Sequence, residues 1–304
     1  MKLIRQAEVY APEYLGKKDI LVINDKIVAI EDQISGGFDQ LTVEEIDGSS
    51  LIATPGFIDC HFHILGGGGE GGYQNRTPEV TLSQLTTAGV TTVVGCLGTD
   101  GVGRDMVALI SKAKGLEAEG ISTYVYDGSY RLPLDPVTDS LIKDFLTIDK
   151  MGGTIDFTAS EDPDFWERED DEVRFSKGLK RLLDEGIGLD QFTMTSDGQG
   201  SLPYFDENNQ FIGLGVGSSR ALMVGIKEAV QVEQIPLEIA LRAITSNPAK
   251  ILKLAQKGRI APGMDADLCL LNQDTLDVET VIAKGKVMVD KKDVKVWGTF
   301  EQLV

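Results

Sequence analysis

The sequence predicts an α/β protein, a (β/α)8 TIM-type barrel short of its full set of units, joined to a small β-sandwich domain formed by both chain ends. Three observations carry this. The first and last fifty or so residues alternate short β-rich runs with turn signals, and the stretch between them changes to short apolar strands followed by helical periodicity. A chain of 304 residues also exceeds a typical single domain, so a barrel-sized unit with a small companion is expected. The divisions are residues 1–53 for the first half of the β domain, 54–255 for the barrel and 256–304 for the second half.

At the N-terminal end, strands are expected over residues 2–10, over 19–30 with a break at Asn24-Asp25, and over 41–46 before the Asp47-Gly48 turn. The C-terminal end repeats the style over 267–271, 278–283, 286–289 and 294–297, with Lys284-Gly285 as a turn. In between, 91–97 reads as a strand and 105–119 as its helix, the signature of a βα unit. Strands at 121–126, 154–160 and 192–196 and helices at 175–185, 221–232 and 236–244 continue the pattern.

A complete barrel takes about 250 residues, or roughly 30 per unit. With His63 closing the first strand and Asp197 the eighth, seven such units do not fit between them. Two or three units are short. The shortfall falls near residues 148–153, where the run after Tyr130 meets a new strand without the expected elements. A covalently continuous chain there should place the Cα atoms of Lys150 and Met151 about 3.8 Å apart.

Hydrophobic residues at 42% and charged residues at 25% describe a folded, soluble chain. The formal net charge of −19 repels phosphate backbones and anionic headgroups, so neither nucleic acid nor a membrane surface is expected as a partner. Part of the acidic excess is local, in EDPDFWEREDDE over 161–172, read as a solvated loop with no catalytic role. Three cysteines, Cys60, Cys96 and Cys269, lie far apart without a CxxC pair, so neither a disulfide framework nor a thiolate zinc site is indicated. With no signal-peptide pattern and no apolar run of spanning length, the expected location is cytoplasmic.

The chemistry centres on PGFIDCHFH over 55–63. Residues two apart on a strand point to one face, so His61 and His63 converge while Phe62 packs on the other side. Two imidazoles one strand-step apart can chelate a cation; two histidines packed in a core is the alternative. A catalytic zinc needs about three protein ligands and an open position. Asp197, in the run TMTSDG directly after a strand, stands at the barrel mouth, where a carboxylate can ligate a metal and carry a proton. Taken alone, an Asp before Gly is an ordinary turn residue. The glycine loop over 66–72 lets backbone N–H groups approach an anionic ligand, and Glu70 within it can pair with an amine.

PGFIDCHFH, the late SDG and GRIAPGMDADLCLL over 258–271 resemble the amidohydrolase superfamily, and within it the glycine loop, Gly98-Thr99-Asp100 and Asp127-Gly128-Ser129-Tyr130 resemble isoaspartyl (β-aspartyl) dipeptidase across essentially the whole chain. The resemblance implies a mono- or binuclear Zn2+ site, hydrolysis of β-aspartyl dipeptides by metal-bound hydroxide, and a homo-oligomer. By residue-wise carry-over it implies His61, His63 and Asp197 as metal ligands and Asp197 as the proton carrier. Gly68, Glu70, Thr99 and Ser201 are then substrate-binding positions, and Tyr130 polarises the scissile carbonyl.

The chain also departs from the pattern. The resemblance calls for a carboxylated lysine bridging two metals, two further histidines on middle strands and substrate-holding arginines, and none can be placed here. The chain contains two histidines in all, and Lys150 lacks the expected surrounding motif. Three readings therefore stand: hydrolysis of β-aspartyl dipeptides, a dihydroorotase- or hydantoinase-like opening of cyclic amides, or a scaffold without turnover. The cyclic-amide reading gives no reason for Glu70 in the glycine loop.

Overall fold

The computed structural model describes residues 1–36, 38, 41–69, 71–129, 136–138, 140, 143–144, 147–148, 151–153, 159–160, 175–186, 188, 190, 192–208 and 210–301. In chain order the strands are β1 (Lys2–Tyr10), β2 (Tyr14–Ile23), β3 (Lys26–Glu31), β4 (Glu44–Asp47), β5 (Leu51–Pro55), β6 (Phe57–Phe62), β7 (Val90–Gly95), β8 (Ser122–Tyr126), β9 (Met151–Gly153), β10 (Ala159–Ser160), β11 (Met194–Thr195), β12 (Ser201–Phe205), β13 (Phe211–Val216), β14 (Leu268–Asn272), β15 (Val278–Ala283), β16 (Lys286–Asp290) and β17 (Asp293–Val294). The α-helices are α1 (Leu82–Thr86), α2 (Met106–Glu119), α3 (Phe175–Asp184), α4 (Ala221–Gln231), α5 (Leu237–Ala240) and α6 (Ser246–Ile251). None of the described helices is long and apolar enough to cross a membrane.

Both chain ends meet in one nine-stranded sheet, ordered β17-β16-β15-β14-β5-β1-β2-β3, with β4 paired to β1. The halves are stitched by the antiparallel ladder of β14 on β5, which sets Leu268 against Pro55 and Asn272 against Leu51. The hydrogen bonding thus makes one continuous sheet where the sequence suggested a sandwich. Its apolar side is common property: Ile4, Val9, Ile20 and Ala53 pack in one cluster with Ile260, Leu268, Leu270 and Ile282. The core is thus shared between residues from both ends of the chain. Beside it, the buried Lys257 ammonium sits 2.9 Å from Asp265 and 2.6 Å from Asp267.

Gly56 takes the chain from this sheet into the barrel. Its N–H donates to the Asp267 carbonyl at 2.8 Å, and a Cβ there would stand 2.3 Å from the Thr91 hydroxyl oxygen. Gly56 thereby separates β5, which belongs to the terminal sheet, from β6, which opens the parallel one. Strands β6-β7-β8-β9 run parallel in that order, β10 and β11 form a second parallel pair, and a bridge between Phe62 and Gly198 sets the chain after β11 beside β6. Among the described residues this gives six parallel strands, where a full barrel has eight. Strand β9 pairs directly with β8, Met151 opposite Val125. Lys150, on which the test of chain continuity rests, lies outside the described residues, as does the acidic stretch 161–172.

Several elements differ from expectation in extent. Of the strand expected at 154–160 only Ala159–Ser160 is described, and the strand expected at 192–196 is Met194–Thr195. The strand expected at 294–297 is Asp293–Val294, and the helix expected over 236–244 divides into α5 and a 3-10 turn, Leu241–Ile244. The β12–β13 hairpin was not anticipated, although its sequence alternates apolar residues around the polar turn Asp206-Glu207-Asn208.

Candidate functional site

The ends of three neighbouring parallel strands converge on the two histidines. The His63 N–H donates to the Gly198 carbonyl at 2.9 Å and the Cys96 N–H to the Phe62 carbonyl at 2.9 Å, lacing the end of β6 to the segments that follow β11 and β7. Strand alternation sends Phe62 the other way, as expected, into a packed position that a Cβ on Gly198 would invade at 2.0 Å from the ring. The imidazoles of His61 and His63 are 5.3 Å apart, edge to face. His63 is buried, 6% exposed.

Asp197 follows β11 in the left-handed region, φ 47°, which Asp tolerates better than most L-residues and which holds here under outside constraint. Flanking bonds supply that constraint, Gly200 N–H to the Asp197 carbonyl and Gln199 N–H to the Gly217 carbonyl, each 2.9 Å. The result is a carboxylate turned onto the histidines, Oδ1 lying 3.1 Å from His63 Nε2 and 3.7 Å from His61 Nε2. Those nitrogens aside, this buried oxygen has no donor among the described residues. The three ligand positions expected from the sequence are therefore brought together.

The sequence reading set aside a fourth participant, Cys96. Its Sγ is 3.5 Å from His63 Nδ1, and His61, His63 and Cys96 form the one His/Cys/Asp/Glu group among the described residues able to hold a metal ion, with one ligand atom from each lying within 4.8 Å of the others. Burial disfavours the charged imidazole of His63, but the facing Cys96 and Asp197 outweigh it and carry its pKa up to about 10. Burial likewise opposes the Cys96 thiolate, and the two imidazoles overcome that, bringing the thiol down to about 7. The signal for Cys96 was its place just past an apolar strand, at the end of the barrel where sites are built; a search for CxxC pairs cannot see it.

Two further groups stiffen the site. Asp59, fully buried, accepts hydrogen bonds from the Ser196 hydroxyl and, at 3.3 Å, from the Ser196 N–H. Burial pushes its carboxyl up to about 6 despite these bonds. The glycine loop is clamped from outside: the Thr77 hydroxyl accepts from Gly67 N–H at 2.7 Å and donates to the Gln199 carbonyl at 2.6 Å, while Arg104 donates to the carbonyls of Gly67 and Thr77 at 2.7 and 2.6 Å. Thr77 and Arg104 stood in no motif, and Asp59 and Ser196 lay within PGFIDCHFH and TMTSDG without a role assigned to them; only the fold gathers the four.

Of the expected substrate positions, Gly68 and Ser201 are brought together, since a Cβ on Gly68 would stand 3.1 Å from that of Ser201. Gly67 and Gly98 flank the ring of His63, their Cβ positions falling 3.3 Å from Cδ2 and 3.5 Å from Nδ1. Thr99 follows Gly98 in an exposed loop position. Glu70 and Tyr130 lie outside the described residues.

Imidazole, thiolate and carboxylate donors fit a cation of the zinc class, which takes nitrogen and sulfur at about 2.0–2.3 Å. A buried carboxylate oxygen without other donors, facing two imidazole nitrogens, also suits a bound cation better than an empty core. A binuclear centre built on four histidines does not fit, because the chain has two.

Comparison with known proteins shows the family and the fold. The Amidohydrolase family model matches residues 172–289. A crystal structure of β-aspartyl dipeptidase from Fervidobacterium islandicum AW-1 in complex with β-Asp-Leu dipeptide is 32% identical, with a TM-score of 0.85 and 97% of each chain covered. N-acetylglucosamine-6-phosphate deacetylase from Pasteurella multocida, 17% identical with a TM-score of 0.62 over 95% of this chain and all of that one, shares the fold. A dihydroorotase from Elusimicrobium minutum is 41% identical over 71 residues, a segment spanning 23% of this chain and 16% of that protein. With its paired histidines at a strand end and a likeness running the length of the chain, this protein belongs to the amidohydrolase family of hydrolases.

Proposed function

We propose that this chain is a metal-dependent hydrolase that cleaves the isopeptide bond of β-aspartyl dipeptides. The observation that carries the reading is the glycine loop laid beside the metal histidines, Gly67 against the His63 ring and Gly68 against Ser201. A β-aspartyl dipeptide brings two carboxylates and an amine, and these call for different partners. The loop N–H groups and the hydroxyls of Ser201 and Thr99 suit the carboxylates, and Glu70 suits the amine. When bound, the cation supplies Lewis acidity, polarising the amide carbonyl and acidifying water at the site. Asp197 takes a proton from the attacking water and delivers it to the leaving amine nitrogen. Tyr130 donates its phenol hydrogen to the oxygen on which charge develops. Water is added across the C–N bond, giving aspartate and a free amino acid.

The likeness to a β-aspartyl dipeptidase at 32% identity supports this substrate; the short dihydroorotase match supports the cyclic-amide alternative less, since it spans 23% of the chain. A scaffold without turnover is favoured by one observation, the absence of histidines beyond His61 and His63. The metal-loaded chain should release leucine from β-Asp-Leu but not from α-Asp-Leu, and should leave dihydroorotate closed. Glu70→Gln should lower kcat/KM for the dipeptide, and an unchanged value would count against this substrate. Stoichiometric metal without any turnover would establish the scaffold reading instead.

A further inference from the structure

We propose that Asp127 is held as its neutral acid and donates a hydrogen bond to Asp144, a proton-dependent latch that closes onto the end of β8 the chain segment carrying Tyr130. The latch is independent of the metal site and rests on the hydrolase reading above only for its effect on turnover.

Asp127 directly follows β8, at the end of the parallel strands where the histidines stand. It is 5% exposed, and no hydrogen bond reaches either of its carboxyl oxygens among the described residues. Asp144 is fully buried and sits in a helical turn, its N–H donating to the Ser140 carbonyl and its carbonyl accepting from Ile148 N–H, each at 2.9 Å. The two carboxyls face each other, close enough for Asp144 to repel a charge on Asp127 and to accept a hydrogen bond from its acid form. Among the described residues Asp144 is the charged group that acts on Asp127, with no Lys, Arg or His to offset it; the neighbouring Gly128 N–H is the one group that favours the charged form.

Two buried carboxyls in contact cannot both stay ionised, so one keeps a proton. Hydrogen bonding decides which. Asp144 accepts with both oxygens, Oδ2 from Val137 N–H at 2.6 Å and Oδ1 from Thr138 N–H at 3.0 Å and from the Thr138 hydroxyl, the pattern of a carboxylate. Asp127 lacks such donors, and as an acid it has one O–H to offer its neighbour. Burial first, and then Asp144, push its carboxyl up to about 6. Residues 127 and 144 bracket the stretch that contains Tyr130. The Tyr126 hydroxyl donates to the Cys60 carbonyl at 2.7 Å, so the end of β8 also bears on the strand that carries His61. Ionising Asp127 replaces a hydrogen bond by a repulsion and loosens the bracketed stretch.

The test is urea unfolding of the metal-loaded full chain, wild type and Asp127→Asn, over roughly pH 4 to 8. The amide donates to Asp144 as the acid does but cannot ionise. A carboxyl whose folded pKa is raised takes stability away as pH climbs from its unfolded value through the folded one. The variant should therefore gain on the wild type by about 100-fold in the folding equilibrium constant as pH rises through about 6. The ratio of variant to wild-type kcat for β-Asp-Leu should rise over the same range. A stability difference that stays flat with pH overturns the latch, and so does one that follows added Ca2+ instead of pH, since the pair would then hold a cation. A pH-dependent stability difference with a flat kcat ratio overturns the role toward Tyr130. If the variant does not fold, a titration of 13C-labelled aspartate carboxyls in the wild type decides: Asp59 and Asp127 should both titrate near about 6, and a single such group overturns the proposal. A pH-dependent stability difference in a metal-loaded chain without turnover would sink the hydrolase reading and leave the latch standing.

Discussion

The terminal sheet and the parallel strands are both built from β structure, yet they keep their registers by different means. In the terminal sheet long ladders do the work: β1 and β2 pair from Lys2 opposite Val22 to Tyr10 opposite Tyr14, and the two chain ends share one apolar cluster. In the parallel half β10 and β11 are two residues each. There, position is fixed by individual contacts at strand ends, such as Asp59 with Ser196 and Phe62 with Gly198. Redundant ladders tolerate the loss of one bond; point contacts do not. The functional site therefore sits where single residues matter most.

The largest expected effect tests whether the terminal sheet has a point contact of its own. Lys257→Ala would leave Asp265 and Asp267 facing each other without their buried cation, a loss of about 3–5 kcal/mol. Urea unfolding should show a lower midpoint at unchanged slope, and a shift worth under about 1 kcal/mol would mean the ladders carry the sheet without it. The pair also sets a pH window. Burial alone would lower the Lys257 pKa, but Asp267 and Asp265 raise it above 10.5, so its contribution is complete below that value and fades as pH climbs through the raised one. Burial would raise Asp265, but Lys26 and Lys257 hold it below 3.8, so its contribution is present above 3.8 and fades as pH falls. The stability difference between wild type and Lys257→Ala should be level between these limits and shrink beyond either end.

Gly198→Ala tests the parallel half. The added Cβ would stand 2.0 Å from the Phe62 ring, and overpacking of this kind costs about 1–3 kcal/mol. Because Gly198 also accepts from His63 N–H, metal affinity should fall along with the melting temperature. A variant that melts lower but binds metal as before would show that the strand-end contact does not position the site.

The smallest effect is expected from Thr77→Val, which removes the hydroxyl between Gly67 and Gln199. Gly67 N–H keeps a second acceptor in the Gln199 carbonyl at 2.9 Å, so the loss should be about 1 kcal/mol. The glycine loop should loosen, raising KM for a dipeptide more than it lowers kcat. A fall in kcat with KM unchanged would place Thr77 in transition-state stabilisation and outside loop support.

The strands of both chain ends, the barrel strands nearest His61 and the convergence of His61 and His63 were legible in the sequence, because each rests on a local period. Alternation over β1 and β15 marks strands, and two residues apart on β6 means one face. Asp197 was legible as a strand-end carboxylate. Cys96 was not, since its role depends on β7 lying beside β6, a pairing of residues 33 apart that no local pattern encodes. The same holds for Asp59 under Ser196 and for Arg104 and Thr77 around the glycine loop. The sequence assigned both chain ends to one β domain, but only tertiary structure decided that they share one hydrogen-bonded sheet, because β5 and β14 pair across more than two hundred residues. It also decided which edge of His63 faces sulfur and which faces carboxylate, because a ring's orientation is set by neighbours that only the folded chain brings within reach. By itself the sequence determined that two imidazoles would stand at the end of a strand, and that no third was available to join them.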